Sequence, residues 1–227
     1  ITQSSLQIAE DTELVEWQAR AGCVGVFVGL ETFSARNLEG VNKGFNKVDE
    51  YRQAVGVLHG NGIGVEAGIV FGFDGDDTGV FARTLAMLDD LRIDLIQTSI
   101  FTPLPGTPLM ESMRDRIVDR NWAHYDFHHV VFEPKGMSAE SLQAGHDWVT
   151  HEFYRPYRIA RRLARQAAHP RGWRSFPFAA AINAAYYGRI RQWHVEGWNP
   201  DRQTSPLRGR SSDRSIVDMN LRESWSA

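Results

Sequence analysis

Residues 68–76, reading GIVFGFDGD, constrain the fold of this chain more than any other stretch. Ile69, Val70 and Phe71 make a run that is apolar on both faces. It stops at Gly72, Phe73, Asp74, Gly75 and Asp76, and a helical pattern follows. A short apolar run closed by glycines and acids reads as a buried parallel strand breaking into a loop.

The same grammar occurs four times. Residues 1–9 alternate weakly through Leu6 and Ile8 and predict a short strand. Asp11 is placed to cap a helix over 12–21, with Leu14, Val15, Trp17 and Ala21 near one face. Residues 24–30 predict a second buried strand, with Glu31 and Thr32 at its end. Ser34 then caps a short helix to Val41. Val48, Tyr51, Val55 and Leu58 recur at helical spacing, and glycines at 60 and 62 stop that helix. After the central strand, Val80, Phe81, Leu85, Leu88 and Leu91 mark a further helix. A fourth strand covers 94–101, and residues 109–113 begin another helix. Such alternation with short connections predicts an α/β fold with a parallel sheet, either a barrel segment or an open sheet.

Beyond this the pattern changes. Residues 114–136 are irregular, with Trp122, His124, Tyr125, His128 and His129. Ser138 caps a long helix running to about Ala168, with a kink expected at Pro156. Arg158, Arg161, Arg162 and Arg165 line its second half. A last helix is predicted over 176–193, and a mobile polar tail from Asn199.

Charge divides along the same line. Residues 1–153 carry 11 Lys and Arg against 23 Asp and Glu, whereas residues 154–227 carry 14 Arg, no Lys and 5 acids. The Arg-rich region reads either as a nucleic-acid-binding surface or as a helix docked on the acidic body; the acidity of the body favours docking. No apolar run approaches the ~20 residues of a membrane span. The single cysteine excludes an internal disulfide framework and fits a reducing, cytoplasmic setting. There is no G-x-S-x-G elbow, no P-loop and no H-E-x-x-H. His146 and His151 are five apart, on different helix faces, which speaks against a zinc pair.

In parallel α/β folds, ligands bind where strands exit. Three exits here carry polar or glycine-rich residues: 29–31, 72–74 and 102–108. They should gather on one face of the sheet.

Four segments together, GCVGVFVGLET (22–32), NKGFN (42–46), GIVFGFDGD (68–76) and TPLPGTPL (102–109), resemble radical S-adenosylmethionine enzymes. The match is to the branch that usually carries an N-terminal cobalamin-binding domain, and it covers roughly residues 1–155. The resemblance implies a partial (β/α) barrel of the TIM type: about four parallel βα units over 1–115, an irregular loop over 116–137, a helical extension over 138–198 and a tail over 199–227.

It also implies roles. Glu31 would make polar contacts to S-adenosylmethionine and Lys43 would meet its carboxylate. Phe71 and Gly72 belong to the glycine motif that packs on adenine, and Thr102, Pro103 and Pro105 supply backbone contacts. In the complete enzyme, a [4Fe–4S] cluster cleaves S-adenosylmethionine to a 5′-deoxyadenosyl radical, with cobalamin, where used, held by an upstream domain. The family's C-x-x-x-C-x-x-C loop has no counterpart here, and Cys23 reads as a small core residue.

The chain, opening on Ile1, is therefore expected to be the C-terminal portion of an Fe–S oxidoreductase or methyltransferase and inactive by itself. Two further βα units with the cysteine motif are expected upstream, and the first strand should be an exposed edge. The alternative is a non-catalytic barrel fragment serving as an interaction or nucleic-acid-binding module.

Overall fold

The computed structural model describes residues 1–40 and 50–190. Lys43, the 42–46 motif and the predicted tail lie outside the described residues.

Four strands form one parallel sheet in chain order: β1 (Thr2–Ser4), β2 (Gly25–Glu31), β3 (Gly64–Phe71) and β4 (Leu95–Ile100). Between and after them run α1 (Thr12–Arg20), α2 (Ala35–Gly40), α3 (Tyr51–Gly60), α4 (Val80–Leu91) and α5 (Pro108–Ser112). The C-terminal extension contains α6 (Ala139–Phe153), α7 (Pro156–Ala168) and α8 (Phe176–Ile190). The sequence therefore folds as an α/β partial barrel with a helical extension.

Side-chain alternation explains why this is a barrel segment and not a doubly wound sheet. Val26, Val28, Leu30, Val65, Ala67, Ile69 and Phe71 point to the helices and are essentially inaccessible. Their neighbours Phe27, Glu66 and Val70 point the other way and are only half-buried. Helices thus cover one face fully, whereas a doubly wound sheet would be covered on both.

The second face is closed at the N-terminal ends of the strands. A Cβ added at Gly25 would lie 2.7 Å from the Phe178 ring of α8, and one at Gly64 would meet Ser175, just before α8. The start of α8 therefore packs under the N-terminal ends of β2 and β3, while α6 reaches the β3 exit through Leu142.

Several local expectations are corrected. The strand predicted over 1–9 spans only Thr2–Ser4, because Leu6–Glu10 turns into a 3-10 helix that buries Leu6, Ile8 and Ala9. In α1 the buried residues are Val15 and Ala19, while Leu14 and Trp17 are exposed. The long helix expected over 138–168 is two helices. Pro156 occupies the first position of α7, and Arg155 before it is extended, as a residue preceding proline prefers.

Three expected caps form: Asp11 accepts from the Leu14 amide, Ser34 from Asn37 and Ser138 from Ser141; Thr107, not expected, accepts from Met110.

The charge division has a structural basis. Arg158 and Arg161 of α7 pair with Asp89 of α4, the latter at 2.7 Å. Other arginines of the extension reach carbonyls in the last turns of the body's helices. Arg165 donates to Asp89 O of α4, Arg171 to Gly60 O of α3, and Arg174 to Ala19 O of α1. Helix C-termini leave carbonyls unpaired and carry about half a negative charge each. In a parallel βα fold these ends lie together, at the N-terminal side of the sheet. The extension crosses that side and meets them with guanidiniums.

The outer edge of β4 is also sealed. The Tyr154 hydroxyl, at the α6–α7 junction, accepts from Ile96 N and donates to Ile96 O. Ile100 N donates to Phe127 O at 2.7 Å. No helix among the described residues is long and apolar enough to cross a membrane.

Candidate functional site

The exit of β3 is a turn that ties itself together. Gly72 has φ 100°, a left-handed conformation that L side chains avoid. A Cβ there would also stand 2.9 Å from Leu142 and 3.2 Å from Phe132. Four residues on, the Asp76 carboxylate folds back under the turn. Its Oδ2 accepts from Gly72 N and Phe73 N at 3.0 and 3.1 Å, and its Oδ1 accepts from Asn37 Nδ2 at 2.8 Å. Burial pushes the Asp76 carboxyl up to about 6, against the pull of these donors.

Asp74 faces outward and pairs with Arg116 at 2.8 Å and Lys135 at 2.5 Å. Burial raises its pKa, but the hydrogen bonds and charges of Lys135 and Arg116 outweigh that and hold it below the ordinary value. Both acids of GFDGD are thus engaged within the fold. They shape the loop and link it to α2 and to the 114–136 segment.

The exit of β2 carries Glu31. The register with β3 shifts between Gly29 and Glu31, and Glu31 adopts φ 65°. A non-glycine residue held there costs about 1–3 kcal/mol and persists only where its surroundings enforce it. Here Tyr51 Oη of α3 and Thr32 N both donate to the Leu30 carbonyl just before it.

At the exit of β4, Phe101 N continues the ladder to Phe71 O at 2.8 Å, and Thr102 Oγ1 donates to Ile100 O. Thr102 and Pro103 are buried; Leu104 and Pro105 are exposed. Gly106, φ 77°, turns the chain into the Thr107 cap of α5.

Because all four strands are parallel, Glu31, Gly72 and Thr102 stand on neighbouring exits at one edge of the sheet. The outer two are separated by two strand spacings, about 10 Å. The Phe71 side chain is turned away from the half-open face: it packs on Phe81 and His146 on the helix side, at centroid distances of 5.1 and 6.4 Å. What Phe71 presents at the exit is its backbone.

Below the exits, the half-open face has a glycine-rich floor. Gly25 pairs with Gly64 and Gly29 with Gly68 across β2 and β3. The Phe27 ring lies over Gly68, where a Cβ would stand 2.8 Å from it. Between the glycine pairs, Glu66 sits opposite Phe27 and Leu95, and burial raises its carboxyl above the ordinary value. Sequence reasoning missed Glu66. Its signal was a lone acid inside a strand, on the face that the alternating Val65, Ala67 and Ile69 leave open.

The histidines of the irregular segment are engaged locally. His124 pairs with Asp119 at 2.6 Å and His129 with Asp126 at 2.9 Å, and their rings stack. His128 lies beside the buried His146, and burial followed by that neighbour lowers its pKa.

Cys23, half-buried before β2, donates its thiol to Gly25 O at 3.3 Å. Among the described residues no group of three or more His, Cys, Asp or Glu is arranged to hold a metal ion. These residues do not fit an iron–sulfur cluster. The strand exits bring a half-buried carboxylate, Glu31, beside Gly72 and Thr102, a setting that fits a small polar ligand.

No protein-family model matches the chain. Known proteins do. The chain is similar to methyltransferases and cyclases. Over 159 residues, 70% of its length, it is 33% identical to bacteriochlorophyllide d C-12(1)-methyltransferase of Chlorobaculum tepidum, of which it spans 35%. Over 61% of its length it is 29% identical to anaerobic magnesium-protoporphyrin IX monomethyl ester cyclase of Cereibacter sphaeroides, spanning 22% of that protein. Over 49% it is 29% identical to hopanoid C-2 methylase of Rhodopseudomonas palustris, spanning 21%. The chain thus covers about a third or less of each of these relatives.

Proposed function

We propose that this chain is the C-terminal portion of a radical S-adenosylmethionine enzyme, and that the exits of β2, β3 and β4 bind S-adenosylmethionine. The observation that carries the reading is the gathering of Glu31, Gly72 and Thr102 on one edge of an all-parallel sheet whose other end is covered by α8. Glu31 accepts hydrogen bonds from the ligand. Lys43 meets its carboxylate. The backbone at Phe71 and Gly72 packs on the adenine, and Thr102, Pro103 and Pro105 contribute main-chain contacts. The order of the four sequence segments and the similarity to methyltransferases support this assignment.

The iron–sulfur chemistry belongs to residues other than these. This part of the protein positions the nucleoside and excludes water from it. For the whole protein we propose methyl transfer, supported by the names of the methyltransferase relatives.

Equilibrium dialysis of radiolabelled S-adenosylmethionine against the chain tests the binding assignment. Loss of a charged hydrogen bond at Glu31→Gln should weaken binding by about 10–100-fold, with S-adenosylhomocysteine competing. No binding at millimolar ligand, or equal binding by Glu31→Gln, overturns it.

A further inference from the structure

The end of the sheet opposite the strand exits holds a cavity of about 60 Å³, between the C-terminal ends of α3 and α4, α7 and the turn that follows α7. At about 10–15 Å³ of such volume per water, it takes a few waters or one small oxyanion. Arg92, Arg162 and Arg165 line it, with Asp94 as the one carboxylate in the lining. That carboxylate is already engaged. Its Oδ2 accepts from Val65 N and faces His59 Nε2, both at 2.8 Å.

Two of the lining residues each carry a buried polar atom with no hydrogen-bond partner among the described residues: Arg162 Nε and Gln166 Oε1. Both belong to side chains more than nine-tenths buried. The rest of each side chain is fixed. Arg162 donates to Phe153 O and Asn183 Oδ1, both at 2.7 Å, and Gln166 Nε2 donates to Ser175 Oγ at 2.8 Å. A buried donor or acceptor left without a partner is destabilising, so both atoms call for one. Arg92, in the left-handed cap position after α4 with φ 61°, pairs with no carboxylate among the described residues.

We propose that this cavity binds a small tetrahedral oxyanion of the phosphate type. A monoprotonated phosphate accepts from Arg162 Nε and donates to Gln166 Oε1, so it meets both buried requirements at once. Arg92 and Arg165 supply the counter-charge at the solvent side. The C-termini of α3 and α4 oppose an anion with about half a charge each. Three guanidiniums against one carboxylate and these two ends still leave an excess of about one positive charge. The other acid nearby, Asp89, is held by Arg158 and Arg161. The site is independent of the strand exits and stands whether or not they bind S-adenosylmethionine.

Isothermal titration of the chain with inorganic phosphate, at ionic strength matched with sodium chloride, tests this. Saturable one-to-one binding is expected, weakened about tenfold or more in Arg92→Gln/Arg165→Gln and unchanged in Arg20→Gln on α1. Melting of the variants without phosphate checks that the fold is intact. If the double variant melts early, Arg92→Gln alone serves, with at least threefold weakening expected. A parallel titration with glycerol phosphate separates a free ion from a phosphomonoester head: binding of either supports the site. No saturable binding of either compound, or binding that Arg92→Gln leaves unchanged, refutes it.

Discussion

The buried carboxylate at the β3 exit makes a sharp prediction about pH. Asp76 titrates at about 6 in the folded chain, against an ordinary 3.8. The folded state therefore keeps this proton over a window, between about pH 4 and 6, in which the unfolded chain has lost it. Stability from this group is fully present below the lower value and is lost as pH rises through the upper one. At about 1.36 kcal/mol for each pH unit between the two values, the contribution is on the order of 3 kcal/mol.

Asp76→Asn isolates the effect. The amide oxygen can still accept from Gly72 and Phe73, while its NH₂ would confront Asn37 Nδ2 unless Asn37 turns its amide over. That cost is the same at every pH. The assay is urea unfolding of both proteins, followed by circular dichroism at pH 4, 5, 6 and 7. The advantage of the parent over Asp76→Asn should shrink by about 2 kcal/mol from pH 4 to 7, most of the full effect, while titrations elsewhere cancel in the difference. Parallel stability profiles, with a constant offset, would refute the reasoning.

Other perturbations test other parts of the fold. Gly72→Ala adds left-handed strain and a Cβ against Leu142 and Phe132, and should cost roughly 2–4 kcal/mol in urea unfolding. Tyr154→Phe strips both hydrogen bonds from Ile96 at the β4 edge and should cost about 1–3 kcal/mol; an unchanged unfolding midpoint would remove the edge-sealing role. Arg171→Gln/Arg174→Gln should lower stability by about 1–2 kcal/mol, with the loss largest at low salt. A salt-independent loss would argue for packing over charge.

Much of the sheet was legible because its signals are local. The run Ile69–Phe71 and the glycine and acids after it marked β3 and its exit. Parallel order then brought Glu31, Gly72 and Thr102 to one edge. What escaped depends on partners distant in sequence. Asp76 reads as a loop acid until Asn37, 39 residues earlier, is seen to close on it. The destinations of Arg165, Arg171 and Arg174 are carbonyls, which no side-chain pattern reveals. Spacing put Leu14, Val15, Trp17 and Ala21 near one face, yet α1 turns inward only Val15 of these, with Ala19, and leaves Leu14 and Trp17 exposed. Proline at 156 marked the break between α6 and α7, but the scale of it, two helices instead of one bent helix, follows from the extended Arg155.

The sealing of β4 gives the sheet a direction of growth. With Tyr154 occupying both backbone groups of Ile96, and Phe127 accepting from Ile100, a strand arriving at that edge would have to displace side chain and loop together. At the other edge lies β1, three residues long. Among the described residues, that is the edge at which an additional strand, whether from the same polypeptide or another, would enlarge the sheet. The extension thus acts as a stop on one flank and gives the sheet a single polarity of templating.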